Sequence, residues 1–288
     1  MSADQLLADG KVEEALAELQ KQVRAKPADA KLRVFLFQLL SVQGAWERAL
    51  NQLNVAGEMD PITLAMVQTY REAIRCEMLR AEIFSGARSP LIFGQPDEWL
   101  ALLTQALRLS GEGQHAAAAE MRDKAFAAAP ATSGKLTFES RQRGNEPESH
   151  EQAFAWLADA DSRLGPVLEA IINGKYYWAP VHRIRQIDIE APEDLRDVVW
   201  MPAHFTWANG GENVGLIPTR YCGSEKSSDP LIRLARKTDW QEVAAETFAG
   251  IGQRMLATDG GEYSLMDIRR IEFDVDAGTE SGTSAAHG

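Results

Sequence analysis

The sequence predicts an α+β protein, with helix-turn-helix repeats in its N-terminal half and an antiparallel, barrel-like β domain behind them. Three observations predict it. A glycine-to-proline pattern recurs about every 34 residues, the texture changes just past Pro130, and short alternating or apolar runs separated by turn dipeptides fill the rest. The implied division is a helical repeat domain over residues 1–131, a β domain over 132–275 and a disordered tail over 276–288, where Gly, Ser, Thr and Ala leave little to bury.

The best copy of the repeat runs from Lys31 to Pro61, with Gly44, Trp46, Ala49, Leu53, Ala56 and Pro61 in its second half. A shift of 34 residues toward the N-terminus meets Gly10, Val12, Ala15, Leu19 and Pro27, and a shift of 69 the other way meets Gly113 and Pro130. Glycine at the turn, small residues where helices touch, large ones beside them and a closing proline are what a packed helix pair requires, and the pattern resembles a tetratricopeptide repeat. Trp46 and Leu53 are therefore expected to face Ala15, Leu19 and the Leu36 to Leu40 helix. Arg33 and Phe37 stand where such repeats prefer an aromatic and a small residue, so packing of that first helix departs from the standard.

Ser2 and Gln5 form a capping box that opens a short helix ending at Gly10, and a second helix spans Val12 to Ala25. Asp60-Pro61 starts a long apolar-periodic helix through Met66, Tyr70 and Ile74 to about Phe84. Between Ser85 and Pro96 the tetrad Leu91 to Gly94 reads as a buried loop or extended segment. Asp97 caps the next helix, and Gly113 to Ala129 closes the series. Strands are expected at Lys135 to Ser140, Phe154 to Ala158, Val167 to Ile172, Lys175 to Val181, Ile184 to Ile189, Val198 to Trp207, Val214 to Ile217, Gln253 to Thr258 and Leu265 to Phe273. Asn173-Gly174 between two of them is the strongest hairpin signal, because both residues tolerate positive φ. Asn209-Gly210-Gly211 and Asp259-Gly260-Gly261 are expected to turn two more.

The 42 acidic and 30 basic side chains give a net charge of −12, and 25 of the acidic ones lie beyond Ala131. Such a surface argues against nucleic acid and anionic membrane as partners. No apolar run approaches the roughly 20 residues that span a bilayer. Cys76 and Cys222 lie far apart in no metal or redox spacing and no signal sequence opens the chain, which points to a reducing cytoplasm.

No residue set announces catalysis, and no cofactor is expected. Asp159-Ala160-Asp161-Ser162-Arg163 is the one cluster with metal-ligand chemistry, but it lacks the third acidic ligand and the glycine of a calcium loop. Its carboxylates are read as partners of Arg163 and Arg220 in structural ion pairs. The rival reading is a metal-dependent hydrolase in which Asp159, Asp161 and His182 or His204 assemble a site. No Glu-x-x-His or His-x-His spacing joins those histidines. Cys222 has no designated base, and Gly210-Gly211 and Gly260-Gly261 lie between strands, where they cradle no phosphate.

Several longer motifs carry a resemblance: Asp159 to Pro166, Gly174-Lys175-Tyr176-Tyr177-Trp178, Leu195-Arg196-Asp197, Ile217-Pro218-Thr219-Arg220-Tyr221 and Thr238-Asp239-Trp240. The chain resembles the ImpE family of bacterial avirulence loci, also called TagJ, over nearly its whole length up to the tail. The resemblance implies a cytoplasmic, non-enzymatic adaptor of type VI secretion that binds the small sheath subunit (TssB) and assists sheath recycling by the ClpV ATPase. A general protein-binding scaffold unrelated to secretion is the third reading that the sequence leaves open.

Repeat arrays present a groove lined by the first helix of each pair. Counting from Gly44 places Lys31, Phe35 and Gln38 on the groove side of one helix and Gln68, Glu72 and Arg75 on the next, a set suited to an amphipathic helix. The alternative is that the overlong helix or the Leu91 to Gly94 loop fills the groove. The contact then falls to the β domain around Trp207, read beside its turn as an exposed aromatic.

Overall fold

The computed structural model describes residues 1–140, 146–244 and 247–275. The expectation for 276–288 and part of the polar run after Ser140 lie outside the described residues. Helices α1 (Ala3–Ala8), α2 (Val12–Ala25), α3 (Ala30–Val42), α4 (Trp46–Met59), α5 (Leu64–Phe84), α6 (Glu98–Gly111) and α7 (His115–Ala128) account for the first part of the chain. The capping box of Ser2 and Gln5 is present at α1. Gly10, Gly44 and Gly113 each hold a positive φ between paired helices, the backbone requirement that the repeat imposes. Among the described residues, no helix is long and apolar enough to cross a membrane.

The strands are β1 (Leu91–Ile92), β2 (Gly134–Ser140), β3 (Glu148–Phe154), β4 (Leu157–Asp159), β5 (Val167–Ile172), β6 (Lys175–Pro180), β7 (Ile184–Ile189), β8 (Trp200–Trp207), β9 (Glu212–Pro218), β10 (Thr238–Ala244), β11 (Thr247–Gly252), β12 (Met255–Thr258), β13 (Gly261–Ser264) and β14 (Ile268–Phe273). Nine of them form one sheet in the order β1-β6-β5-β9-β8-β7-β14-β2-β3, flanked by the pair β10-β11 and the triplet β13-β12-β4. The end strands β1 and β3 do not pair with each other, so the sheet is open and the barrel-like expectation is corrected. Closure needs both end strands to offer free backbone to one another. Here β1 has only two residues, and it reaches the sheet from between α5 and α6, the one parallel partner in it.

The Asn173-Gly174 turn forms as its dipeptide requires, at φ 50° and 73°, and pairs Ile172 directly with Lys175. Asp259-Gly260 turns β12 into β13. The strand expected from Phe154 to Ala158 is broken in two, because β3 ends at Phe154 and β4 begins at Leu157. Among the described residues, three β elements escape the sequence pattern: β3, the short strand β13 and the hairpin of β10 and β11. Most of β3 is exposed, so it lacks the buried alternation that marks a strand, and β10 is likewise mostly exposed.

Alternation along β5 explains the layering. Val167, Glu169 and Ile171 face the helices, whereas Leu168, Ala170 and Ile172 enter a second core on the opposite face, so every residue of the strand is buried. On the helical side, Phe37 of α3, Tyr70 of α5 and Trp200 of β8 pack in sequence as tilted pairs, with ring centroids 5.8 and 5.6 Å apart. Trp46 joins this ladder 6.0 Å from Trp200 and is only half-buried. Trp46 packs against the core that holds Ala15, Leu19 and Leu36, and its ring also reaches the sheet, which the repeat position alone does not indicate, while Leu53 is fully buried in the helical core. Trp200→Ala, at a fully buried position, is expected to cost about 3–5 kcal/mol through cavity formation, and Trp46→Ala less than half as much. Thermal unfolding of the two variants ranks them, and an equal or reversed order would place the centre of the seam elsewhere.

Candidate functional site

A buried ionic network joins the helices to the sheet. Glu169 on β5 accepts from Arg80 of α5 at 2.5 Å (Nε) and 2.8 Å (Nη2), and also from Arg254 and the Tyr176 hydroxyl. Trp178 Nε1 donates to that hydroxyl at 2.9 Å. Arg254 extends the network to Asp159 and to the Pro218 carbonyl at 2.9 Å. Arg80 also pairs with Glu77 at 3.3 Å, and the second oxygen of Glu77 accepts from Trp200 Nε1 at 3.1 Å. Asp161 holds Arg163, at 2.5 Å to Nη2, and accepts the Gly250 amide at 2.9 Å.

Burial sets the protonation of this network, and the arginines oppose it. Burial pushes Glu169 up, but Arg80 and Arg254 more than reverse this and hold its carboxyl at about 2. At Asp159 burial wins over Arg254, with Asp161 and Glu169 adding to it, and the carboxyl rises to about 6. Burial likewise raises Glu77. Arg220 does not form the expected carboxylate pair. It donates to the carbonyls of Val42 at 2.8 Å and Ser41 at 3.3 Å, closing the C-terminal end of α3, where unpaired carbonyls and the helix dipole favour a cation.

Beside the network lies an open cleft of about 700 Å³ between α5 and the sheet. Met66 and Tyr70 form its helical wall, and Ile171, Val214 and Leu216 its sheet wall. Val214 is 73% exposed. Gln68, Thr69 and Glu72 bring polar groups from α5, and Arg196 lies over the Tyr70 ring at 5.0 Å. An apolar trough with polar edges suits one face of an amphipathic helix.

Of the residues chosen from the repeat register, the structure brings Gln68 and Glu72 together in this cleft. Arg75 is exposed and pairs with Glu72 at 2.7 Å, but lines a different hollow with Asn54 and Glu58. Lys31 is exposed at the far end of α3, Phe35 is half-buried against the helical core, and Gln38 is buried. The reason is that Tyr70, Trp200 and the turn at Leu195–Val198 pack against α3, so the sheet occupies the place where a groove would open. Trp207 is 4% exposed, stacked against Phe93 at 3.7 Å with its Nε1 donating to Asn213, so it is no surface contact. Met66 and Tyr70 were visible only as periodic core positions, and nothing in the sequence singles out Val214.

The residues of the hydrolase reading are not assembled. Asp159 and Asp161 are engaged by Arg254 and Arg163, His182 lies 3.3 Å from Asp97, and His204 lies 3.6 Å from Glu212. Among the described residues, no three His, Cys, Asp or Glu side chains are grouped to hold a metal ion.

A repeat-bearing helical layer is sealed onto an open, largely antiparallel sheet, with a cleft at the seam. Residues 6–69 match the tetratricopeptide repeat family, and residues 151–272 match the family described as ImpE protein. The type VI secretion system accessory component TagJ of Pseudomonas aeruginosa strain PAO1 is 50% identical over 274 residues, which cover 95% of this chain and 92% of that protein. The chain belongs to the ImpE/TagJ family. The crystal structure of protein VPA1032 from Vibrio parahaemolyticus has the same fold, at a TM-score of 0.80 over 94% of this chain and 97% of that one, with 24% identity.

Because Glu169 is held near 2 against an ordinary 4.5, its stabilisation is complete above 4.5 and disappears as pH falls through about 2. Glu169→Gln leaves two buried guanidiniums short of a carboxylate and should destabilise by about 3–5 kcal/mol at neutral pH. Urea unfolding should show the gap to wild type narrowing as pH drops from 4.5 toward 2. A gap that stays constant across that window would show that Glu169 is not held ionised.

Proposed function

We propose that this protein is a cytoplasmic, non-enzymatic accessory component of type VI secretion that binds the small subunit of the contractile sheath (TssB). The bound segment is a terminal helix of that subunit, seated in the cleft between α5 and the sheet, and the contact serves recycling of contracted sheath by the ClpV ATPase. The observation that carries the reading is the 50% identity, over nearly the full length of both chains, to a protein named as a type VI secretion accessory component. The cleft supports the location, since its apolar walls and polar edges fit an amphipathic helix, whereas α3 is committed to the sheet.

The test is to titrate the labelled terminal helix of the sheath subunit against Met66→Glu and Val214→Glu proteins whose folding is verified by circular dichroism. Each variant puts a charge into an apolar wall and should weaken binding at least about tenfold, the loss expected of a buried interface position. Lys31→Glu, outside the cleft, should bind as wild type does. Wild-type affinity in both cleft variants would remove the cleft from the reading, and no binding to wild type would remove the sheath subunit.

A further inference from the structure

A second surface has a different chemistry. A groove of about 290 Å³ runs between α2, α3 and α4, and three arginines line it: Arg24 in the last turn of α2, Arg33 in the first turn of α3 and Arg48 in the first turn of α4. None of its lining residues is acidic, in a chain whose acidic side chains outnumber the basic ones by 42 to 30. Among the described residues, no carboxylate lies within ion-pair distance of Arg24, Arg33 or Arg48. This contrasts with Arg80, Arg163 and Arg254, each of which is paired.

Arg33 is the best-placed of the three. Its Nη1 donates to Gln52 at 2.9 Å and its Nη2 to the Pro27 carbonyl at 3.3 Å, which fixes the guanidinium plane, while its Nε is buried and has no partner. A buried donor without an acceptor is unfavourable unless a bound group supplies one. Beneath the arginines, the buried Val23 and Leu36 form an apolar floor, and the exposed Asn51 adds an amide to the rim.

We propose that this groove is a docking site for an acidic protein segment that carries an aliphatic side chain. Its carboxylates meet the guanidiniums of Arg24, Arg33 and Arg48, the aliphatic group covers Val23 and Leu36, and the Asn51 amide meets its backbone. Charge complementarity favours an anionic partner. The apolar floor and the short groove favour a peptide over a nucleic acid, whose phosphates would run on across a surface with a net charge of −12.

The probe is a fluorescein-labelled amphipathic peptide with glutamates on one face and leucines on the other, titrated against the full chain by anisotropy. The same peptide with lysine for every glutamate serves as control, and a single-stranded oligothymidylate is tested in parallel. The glutamate peptide should bind, the lysine peptide and the oligonucleotide should not, and added salt should weaken binding. The exposed pair Arg24→Glu and Arg48→Glu, combined in one protein, should lower affinity at least about tenfold, and Arg33→Gln should also weaken it. Met66→Glu should leave this affinity at its wild-type value, which separates the groove from the cleft. Undiminished binding to the doubly substituted protein, equal binding of the lysine peptide or the oligonucleotide, or loss on Met66→Glu would each overturn the assignment.

Discussion

The position of the helices over the sheet depends on Glu169, a carboxylate with no solvent exposure in the middle of β5. A charge in such a place is tolerated only when fully paired, and Arg80, Arg254 and Tyr176 supply the pairing from three separate parts of the chain. Because hydrogen bonds to a carboxylate are directional, this contact fixes α5 at a definite distance and rotation over the sheet, where apolar packing alone would allow sliding. The width of the cleft follows from it, since Met66 and Tyr70 on the same helix form one wall and Ile171 on the same strand forms part of the other.

The seam also changes what the repeats present. In a free array the first helices of the pairs face an open groove, but here α3 is held by Arg220 at its C-terminal carbonyls and by the aromatic ladder from Phe37 to Trp200. The sheet thus fills the concave side, and two of the surfaces that stay open are its boundary with α5 and the groove between α2, α3 and α4. The two differ in chemistry. The boundary is an apolar trough with a mixed polar rim, and the outer groove is cationic without a single acidic lining residue.

The Asp159 to Pro166 motif acquires a structural explanation as well. Asp159 accepts the Asp161 amide at 2.9 Å, Asp161 accepts the Arg163 amide at 2.8 Å, and the turn is closed onto β11 through the Gly250 amide. Gly250 has no room for a Cβ, which would lie 2.3 Å from the Tyr221 ring, so that small residue is needed where the turn, the hairpin and the ring meet. Acidic residues placed at alternate positions act here as acceptors for backbone amides and for the guanidiniums of Arg163 and Arg254, which explains why they resemble a ligand set without forming one.

Features set by near neighbours in the chain were legible in the sequence by itself. The 34-residue spacing, the capping box at Ser2, the Asn173-Gly174 hairpin and the span of β7 all rest on local periodicity or on backbone freedom at single residues. So did the α+β class and, through its longer motifs, the family. What only the tertiary structure decided depends on partners far away in the chain. Trp207 is buried because Phe93 stacks on it, Trp46 reaches the sheet because Trp200 is there, and Arg220 serves α3 because the chain brings the two together. The sheet stays open because its end strands are a two-residue segment from the helical half and a polar strand with little apolar alternation. The cleft belongs to the same class, since Met66, Val214 and Leu216 read as ordinary apolar positions until the Glu169 network sets α5 against the sheet and leaves Val214 exposed between them.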